Sequence, residues 1–245
     1  MNRPWVIAHR GASAHAPENT LAAFELARRQ GADGFEFDVW SCKTGEVVVT
    51  HDEETRRLTG RPGHLKNLSL KELRRLDYGR YKGAQFRGER IPTLNEVLDL
   101  GRHLPILNIE IKGRGMQSSG VELSVLESIL KFRLLRRVVV SSFNPAILFR
   151  MQRLNPAVQL GLLVYEKSPL ALRRAWSARF LKLFSLHPSF GLLDAKLVKR
   201  QQDKGHRIIT WTINNLEQFR ACMALGLDGM ITDDPAWMIN AMRKK

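Results

Sequence analysis

The sequence predicts an α/β fold, a (β/α)8 TIM barrel with a small inserted subdomain after the second strand, and three observations carry that prediction. Short apolar, β-branched runs alternate with helix-like segments from end to end, the pattern of a parallel sheet. Eight strand–helix pairs can be counted, the number that closes a barrel. The chain has 245 residues, and barrels of about 250 residues are common as single domains. We therefore read residues 1–245 as one domain.

The elements follow in order. The first strand, Trp5–His9, runs straight into Arg10 and Gly11, and a helix is expected over Thr20–Gln30. The second strand is Gly34–Trp40. More than fifty residues then separate it from the next long helix, Leu94–Gly101. A structureless loop of that length is uncommon in a compact domain, so an insertion at about 46–91 is read there. It opens with a short strand, Glu46–Thr50, that ends at His51-Asp52. The remaining strands are Ile106–Lys112, Val138–Ser142, Gln159–Val164, Leu183–His187, Arg207–Thr212 and Gly229–Thr232. Helices are expected at Val121–Phe132, Pro145–Leu154, Leu170–Arg179, Ala195–Lys204, Leu216–Leu225 and Pro235–Arg243. Asn144 before Pro145, and Asn214 and Asn215 before Leu216, supply caps for helix starts. Gly205 and Gly226 stand where left-handed caps are wanted.

Charge narrows the partners. There are 39 Lys and Arg against 24 Asp and Glu, a net charge of +15, and residues 56–90 alone hold eleven basic and three acidic side chains. Such a field attracts phosphates, nucleic acid and anionic lipid heads alike. No helix-turn-helix, zinc-finger or stacked-aromatic signature accompanies it, so no specific nucleic acid is expected. The segment "SPLALRRAWSARFLKLFSL", with Leu, Trp and Phe between basic residues, suits weak peripheral contact with the inner face of a membrane as well as it suits an ordinary barrel helix. No run reaches the roughly 18 apolar residues of a membrane span, and no secretory leader is seen at the N-terminus. Cys42 and Cys222 lack metal-type spacing and read as free thiols, so a cytoplasmic location is expected. Oligomeric state is not encoded legibly.

The chemistry lies in two strands. In "GFEFDVW" side chains alternate, placing Glu36 and Asp38 on one face and Phe35, Phe37 and Val39 on the other. In "LNIEIKG", Asn108, Glu110 and Lys112 share a face opposite Leu107, Ile109 and Ile111. If the apolar faces pack outward against helices, three carboxylates point into the barrel, each costing several kcal/mol to bury without compensation. One hard divalent cation answers that cost; an all-oxygen donor set suits magnesium or calcium, with manganese also compatible. These groups stand at the carboxyl ends of the strands, where barrel active sites occur. His9 and His51 form the natural proton-transfer pair, Arg10 offers a fork for phosphate oxygens, and Lys112 a point charge.

Taken together, "AHRGASAHAPENT", "ADGFEFDVW", "VVVTHDEETRRLTG", "LNIEIKG", "VVVSSFNP", "WTINN" and "LGLDGMITDDP" resemble the glycerophosphodiester phosphodiesterase family over almost the whole chain. The resemblance implies a TIM barrel and a divalent-metal-dependent enzyme that hydrolyses small-molecule glycerophosphodiesters to glycerol 3-phosphate and an alcohol. It implies metal ligands at Glu36, Asp38 and Glu110, catalytic histidines at His9 and His51, and phosphate contacts at Arg10 and Lys112. Trp211 matches an aromatic near the glycerol moiety, and Glu18, in "PENT", an acid bracing the first loop. The alternatives are a lysophospholipase D-type enzyme on the same barrel and a phosphate-binding protein without turnover.

Overall fold

Phe35, Phe37 and Val39 alternate with Glu36 and Asp38 along one strand, and both sets are buried, one against helices and the other inside a closed sheet. That arrangement is repeated around the molecule. The computed structural model describes residues 3–113, 115–116, 120–169 and 180–243. Strands β1 (Trp5–His9), β2 (Gly34–Ser41), β4 (Ile106–Ile111), β5 (Val138–Ser142), β6 (Gln159–Val164), β7 (Leu183–Pro188), β8 (Arg207–Thr210) and β9 (Gly229–Thr232) pair in parallel. The order is β1-β9-β8-β7-β6-β5-β4-β2, and β1 pairs again with β2, so the sheet closes into a (β/α)8 barrel. β3 (Val47–Val49) adds antiparallel to the outer end of β2.

Alternation sorts the core into layers. Phe35, Phe37, Leu107, Ile109, Val138 and Val140 face the helical ring. Ile7, Ile106, Val139, Ile209 and Ile231 fill the barrel axis below the level of the acids. At the lower end lies Arg207, whose guanidinium carbon is 4.9 Å from the Trp5 ring and 5.3 Å from the Phe184 ring. Two aromatic faces thus hold a cation that still reaches Asp228 at 3.2 Å.

Helices cover the barrel at Leu21–Arg29, Leu94–Gly101, Val121–Lys131, Pro145–Leu154, Ala195–Gln202, Leu216–Leu225 and Pro235–Arg243. Thr20, expected as the first helical residue, is instead the cap, its Oγ1 accepting from Ala23 N at 3.3 Å. Asn144 and Asn215 cap their helices in the same manner. Gly226 ends the Leu216–Leu225 helix at φ 67°, a left-handed conformation that glycine enters without steric cost. β8 is continuous to Thr210 rather than Thr212, and Trp211 adds only an isolated parallel bridge to Ser189, its carbonyl accepting from Phe190 N at 3.0 Å. The helix expected over Leu170–Arg179 falls outside the described residues. None of the helices described is long and apolar enough to cross a membrane, and Cys42 and Cys222 are buried free thiols.

The stretch after β2 has an apolar centre of its own. Cys42, Val48, Leu58, Leu65, Leu73, Tyr78 and Ile91 form a separate buried cluster, with Trp40, Leu68, Leu70 and Leu76 against it. Two one-turn helices, Arg56–Thr59 and Leu70–Leu73, lie within it. A capping box at Thr93, paired with Glu96, then starts the next barrel helix.

Phe24 is fully buried and its ring meets Phe35 at 5.1 Å and Phe37 at 5.7 Å, tying the first helix to β2. Phe24→Ala should therefore cost about 3–5 kcal/mol, measured as a lowered urea midpoint at unchanged m-value.

Candidate functional site

Adjacent strands in strict register bring the acids together. Asp38 stands opposite Glu110 and Glu36 opposite Asn108 across β2 and β4, and His9 stands opposite Glu36 across β1 and β2. The ligating oxygens of Glu36, Asp38 and Glu110 all lie within 4.8 Å of one another. The three residues are 5 %, 1 % and 6 % exposed, so water screens their repulsion poorly.

Two cations answer that charge. Lys112 Nζ lies 2.9 Å from Asp38 Oδ1 and 2.6 Å from Glu110 Oε1. Arg10 Nε is 3.3 Å from Asp38 Oδ2, and Asn19 Nδ2 donates to the same oxygen at 3.0 Å. Burial would raise the Asp38 carboxyl, yet the Lys112 and Arg10 charges hold it well below the carboxylate range. Glu36 and Glu110 are not compensated to that extent. Burial, reinforced by the neighbouring carboxylates, pushes both of them up. An all-oxygen cluster with two members short of positive charge is a donor set that a hard divalent cation fits.

The first loop is shaped around this cluster. Arg10 and Asn19 adopt positive φ of 54° and 57°, and Arg10 N donates to the Glu36 carbonyl at 2.8 Å. Gly11, at φ 83°, packs so tightly that a Cβ there would stand 2.6 Å from the Ala23 carbonyl carbon. Glu18 accepts from Arg10 at 2.9 Å and from both terminal nitrogens of Arg57 at 2.9 and 2.7 Å. Arg57, from the insertion, also donates to Asp52.

Each histidine rests on a carboxylate. His9 Nδ1 lies 2.6 Å from Asp233 Oδ1 and its Nε2 lies 3.9 Å from Glu36 Oε2. Asp233 is itself fixed by Ser13 Oγ at 3.0 Å and Asn214 Nδ2 at 2.6 Å. His51 Nδ1 lies 2.7 Å from Asp52 Oδ1. Such a partner fixes the tautomer and the direction of the free ring nitrogen. Burial opposes the imidazolium of His9, but the Asp233 hydrogen bond and the Glu36 charge outweigh it and raise the His9 pKa. For His51, burial leads, and with the Lys112 and Arg10 charges it holds the pKa below the ordinary value despite Asp38.

Two spaces open from this centre. A small cavity of about 160 Å³ is bounded by His9, Arg10, Glu36, His51, Glu110 and Lys112, with Asn108, Phe143, Leu163, Trp211 and Ile231 completing it. Trp211 Nε1 donates to the His187 carbonyl at 2.9 Å, and its ring meets Phe143 edge-on at 5.5 Å. A wider groove of about 1060 Å³ runs outward past His51 and Lys112, between Trp40 and the insertion on one side and Met116, Phe143 and Pro145 on the other.

Every residue singled out from the sequence lies around this centre. Sequence reasoning assigned no role to Asp233, Asp52 or Arg57. Asp52 adjoins His51 in the chain, and Asp233 lies in "TDDP" at the end of β9, a carboxyl-terminal strand end where a polar residue carries a signal. Arg57 offered no signal beyond the basic run around it.

The family model described as "Glycerophosphoryl diester phosphodiesterase family" matches residues 9–237. A glycerophosphodiester phosphodiesterase of Caldanaerobacter subterraneus subsp. tengcongensis is 39 % identical over 244 residues, covering 98 % of each chain. Among solved structures, a phosphodiesterase of Oleispira antarctica in complex with the product sn-glycerol-3-phosphate aligns with TM-score 0.85 and 30 % identity, over 98 % of this chain and 97 % of that one. A glycerophosphodiester phosphodiesterase of Thermotoga maritima aligns with TM-score 0.79 and 29 % identity, over 98 % and 99 %.

The Asp233–His9 pair sets a pH dependence in the metal-free protein. Because its pKa is raised on folding, His9 contributes stability that is complete below its unfolded value of 6.5 and is lost as pH rises through the folded value. Asp233, lowered to about 2, stays ionised throughout. The stability gap between wild type and Asp233→Asn should be larger at about pH 5.5 than at about pH 9, read from urea midpoints. An equal gap at both pH values would mean that His9 does not depend on Asp233.

Proposed function

The chain belongs to the glycerophosphoryl diester phosphodiesterase family and is a phosphoric diester hydrolase, and we propose that it hydrolyses glycerophosphodiesters by divalent-cation-assisted transfer of the phosphoryl group to water, with His9 and His51 moving the protons. The observation that carries this reading is the buried convergence of Glu36, Asp38 and Glu110 between two carboxylate-bound imidazoles. Glu36, Asp38 and Glu110 would hold the cation, magnesium or calcium by the hardness of the donors, with manganese compatible. What a bound cation supplies is Lewis-acid polarisation of the phosphoryl oxygens.

The chain's own side chains do the rest. Arg10 and Lys112 present positive charge to the phosphate oxygens, and that charge counts most where negative charge builds up in the transition state. The bond between phosphorus and the alcohol oxygen breaks while a bond from phosphorus to the attacking oxygen forms. One histidine takes the proton of the attacking hydroxyl, and the other donates its proton to the departing alkoxide. Asp233 and Asp52 keep each ring aimed through this exchange. The attacking oxygen belongs either to water or to the glycerol hydroxyl next to the phosphate; the second route gains from enforced proximity and passes through a cyclic phosphate, which water then opens by bonding to phosphorus as one ring P–O bond breaks. The two are distinguished by following turnover in ¹⁸O-labelled water with ³¹P NMR. The small cavity beside the histidines suits the glyceryl arm, packed on Trp211, and the open groove suits the alcohol that leaves.

Two outcomes test the assignment. His9→Ala and His51→Ala should each lower kcat roughly 10²–10⁴-fold, followed as release of glycerol 3-phosphate, with folding checked by circular dichroism. Excess chelator should abolish activity and magnesium or calcium should restore it, whereas Glu36→Gln should show weakened cation binding by calorimetry. Full activity in chelator would refute the cation's part.

A further inference from the structure

Asn108 is an anomaly in this barrel. It is fully buried on β4, opposite Glu36 in the register, and neither Oδ1 nor Nδ2 has a hydrogen-bonding partner. Burying an amide without partners costs about 1–3 kcal/mol, and cores do not keep such a cost without a use for it. Ser141 and His187 also carry unpartnered buried atoms. Of these three, Asn108 is the one that lines the small cavity beside the histidines.

Its depth defines what it meets. On the same face of the strand, Asn108 precedes Glu110 by two residues and Lys112 by four, so it lies deeper in the barrel than the groups that would grip phosphate. Leu163, Ile231, Phe143 and Trp211 give the rest of the cavity an apolar lining. Its volume of about 160 Å³ leaves room for a short polyol arm. The glyceryl arm beyond a phosphate ester oxygen has three carbons and two hydroxyl oxygens, five heavy atoms in all. With phosphorus at the cations, the end of that arm reaching deepest is its terminal hydroxyl. A hydroxyl donates one hydrogen bond and accepts others, and the Asn108 amide offers one acceptor and two donors.

We propose that Asn108 is a specificity-determining residue that receives the terminal hydroxyl of the glyceryl arm. This rests on the reading given under Proposed function and adds the residue that reads that end of the substrate. An acylated oxygen there has no proton to give Oδ1, and an arm ending in a methyl group leaves the whole amide unpaired. Sites built around a substrate hydroxyl discriminate strongly against analogues that lack it.

The test uses the cation-loaded enzyme and three diesters. These are glycerophosphocholine, its analogue with a methyl group in place of the terminal CH₂OH, and 1-acyl lysophosphatidylcholine. The analogue keeps the hydroxyl next to the phosphate, so a cyclic route stays available to it. Wild type should favour glycerophosphocholine in kcat/KM by about 100-fold or more over each of the others. In Asn108→Leu the ratio of glycerophosphocholine to the methyl analogue should fall to near unity. The melting temperature should not fall, because leucine removes an unpaired amide and no bond. Equal rates for the three substrates in wild type, or an unchanged ratio in Asn108→Leu, would overturn the proposal. Should Asn108→Leu fail to fold, Asn108→Ala is read in the same way, and an unchanged ratio there overturns the proposal. Absence of turnover on every diester would instead refute the hydrolase reading beneath it.

Discussion

Three carboxylates forced together inside one barrel are the constraint from which the rest of the molecule follows. Glu36 and Asp38 alternate with Phe35 and Phe37, so the packing that buries the rings also carries the acids inward. Register with β4 then adds Glu110, and the isolated cost of such charges is several kcal/mol each. Lys112, Arg10 and Asn19 offset it around Asp38, whereas Glu36 and Glu110 remain pushed up. The core thus tolerates an electrostatic conflict that an apolar barrel would lack, a compromise found where function needs a poised site. The positive φ at Arg10 and Asn19 belongs to the same arrangement, since it lets one loop return both side chains to Asp38.

Barrel closure matters as much as strand alternation. His9 belongs to the first strand, and the carboxylate that orients it follows the last, with 224 positions between them. Only the β1–β9 pairing makes them neighbours. The side chains of Ser13 and Asn214 hold Asp233 from either side of that seam. The opposite imidazole comes from the insertion, where Asp52 and Arg57 steady it. The proposed proton carriers are therefore set by two different parts of the fold.

What could be read from the chain, and what could not, divides along the same line. The acid cluster was legible because a period of two fixes which side chains share a face and because β2 and β4 are recognisable strands. The insertion was legible by length alone. Its cluster of Leu58, Leu65, Leu73 and Tyr78 was not, since these residues follow no single helical or strand period. The Asp233–His9 contact and the Glu18–Arg57 pair depend on how distant segments dock, which local pattern does not encode. Lys112, two residues on from Glu110 along the same face, was legible by the same period, and its ammonium sits between Asp38 and Glu110. Small boundary differences have local causes, as at Thr20, whose hydroxyl is better used capping the helix than within it.

The insertion's separate apolar centre has a mechanical consequence. His51 itself is tied to β2, through the β3 ladder, Thr50 N on the Asp38 carbonyl at 3.0 Å and Trp40 Nε1 on the His51 carbonyl at 3.1 Å. The later part of the insertion instead reaches the site through Arg57 on Glu18, Tyr81 Oη accepting from Glu18 N at 3.0 Å, and Lys82 Nζ on the Ser13 carbonyl at 2.6 Å. That later part, with its own core, is suited to open as a foldon below the free energy of global unfolding. Heating or mild denaturant would then withdraw Arg57 from Asp52 and Glu18 and unsettle His51 while the eight strands stay zipped. Inactivation would come first, and the spectroscopic melt of the barrel second.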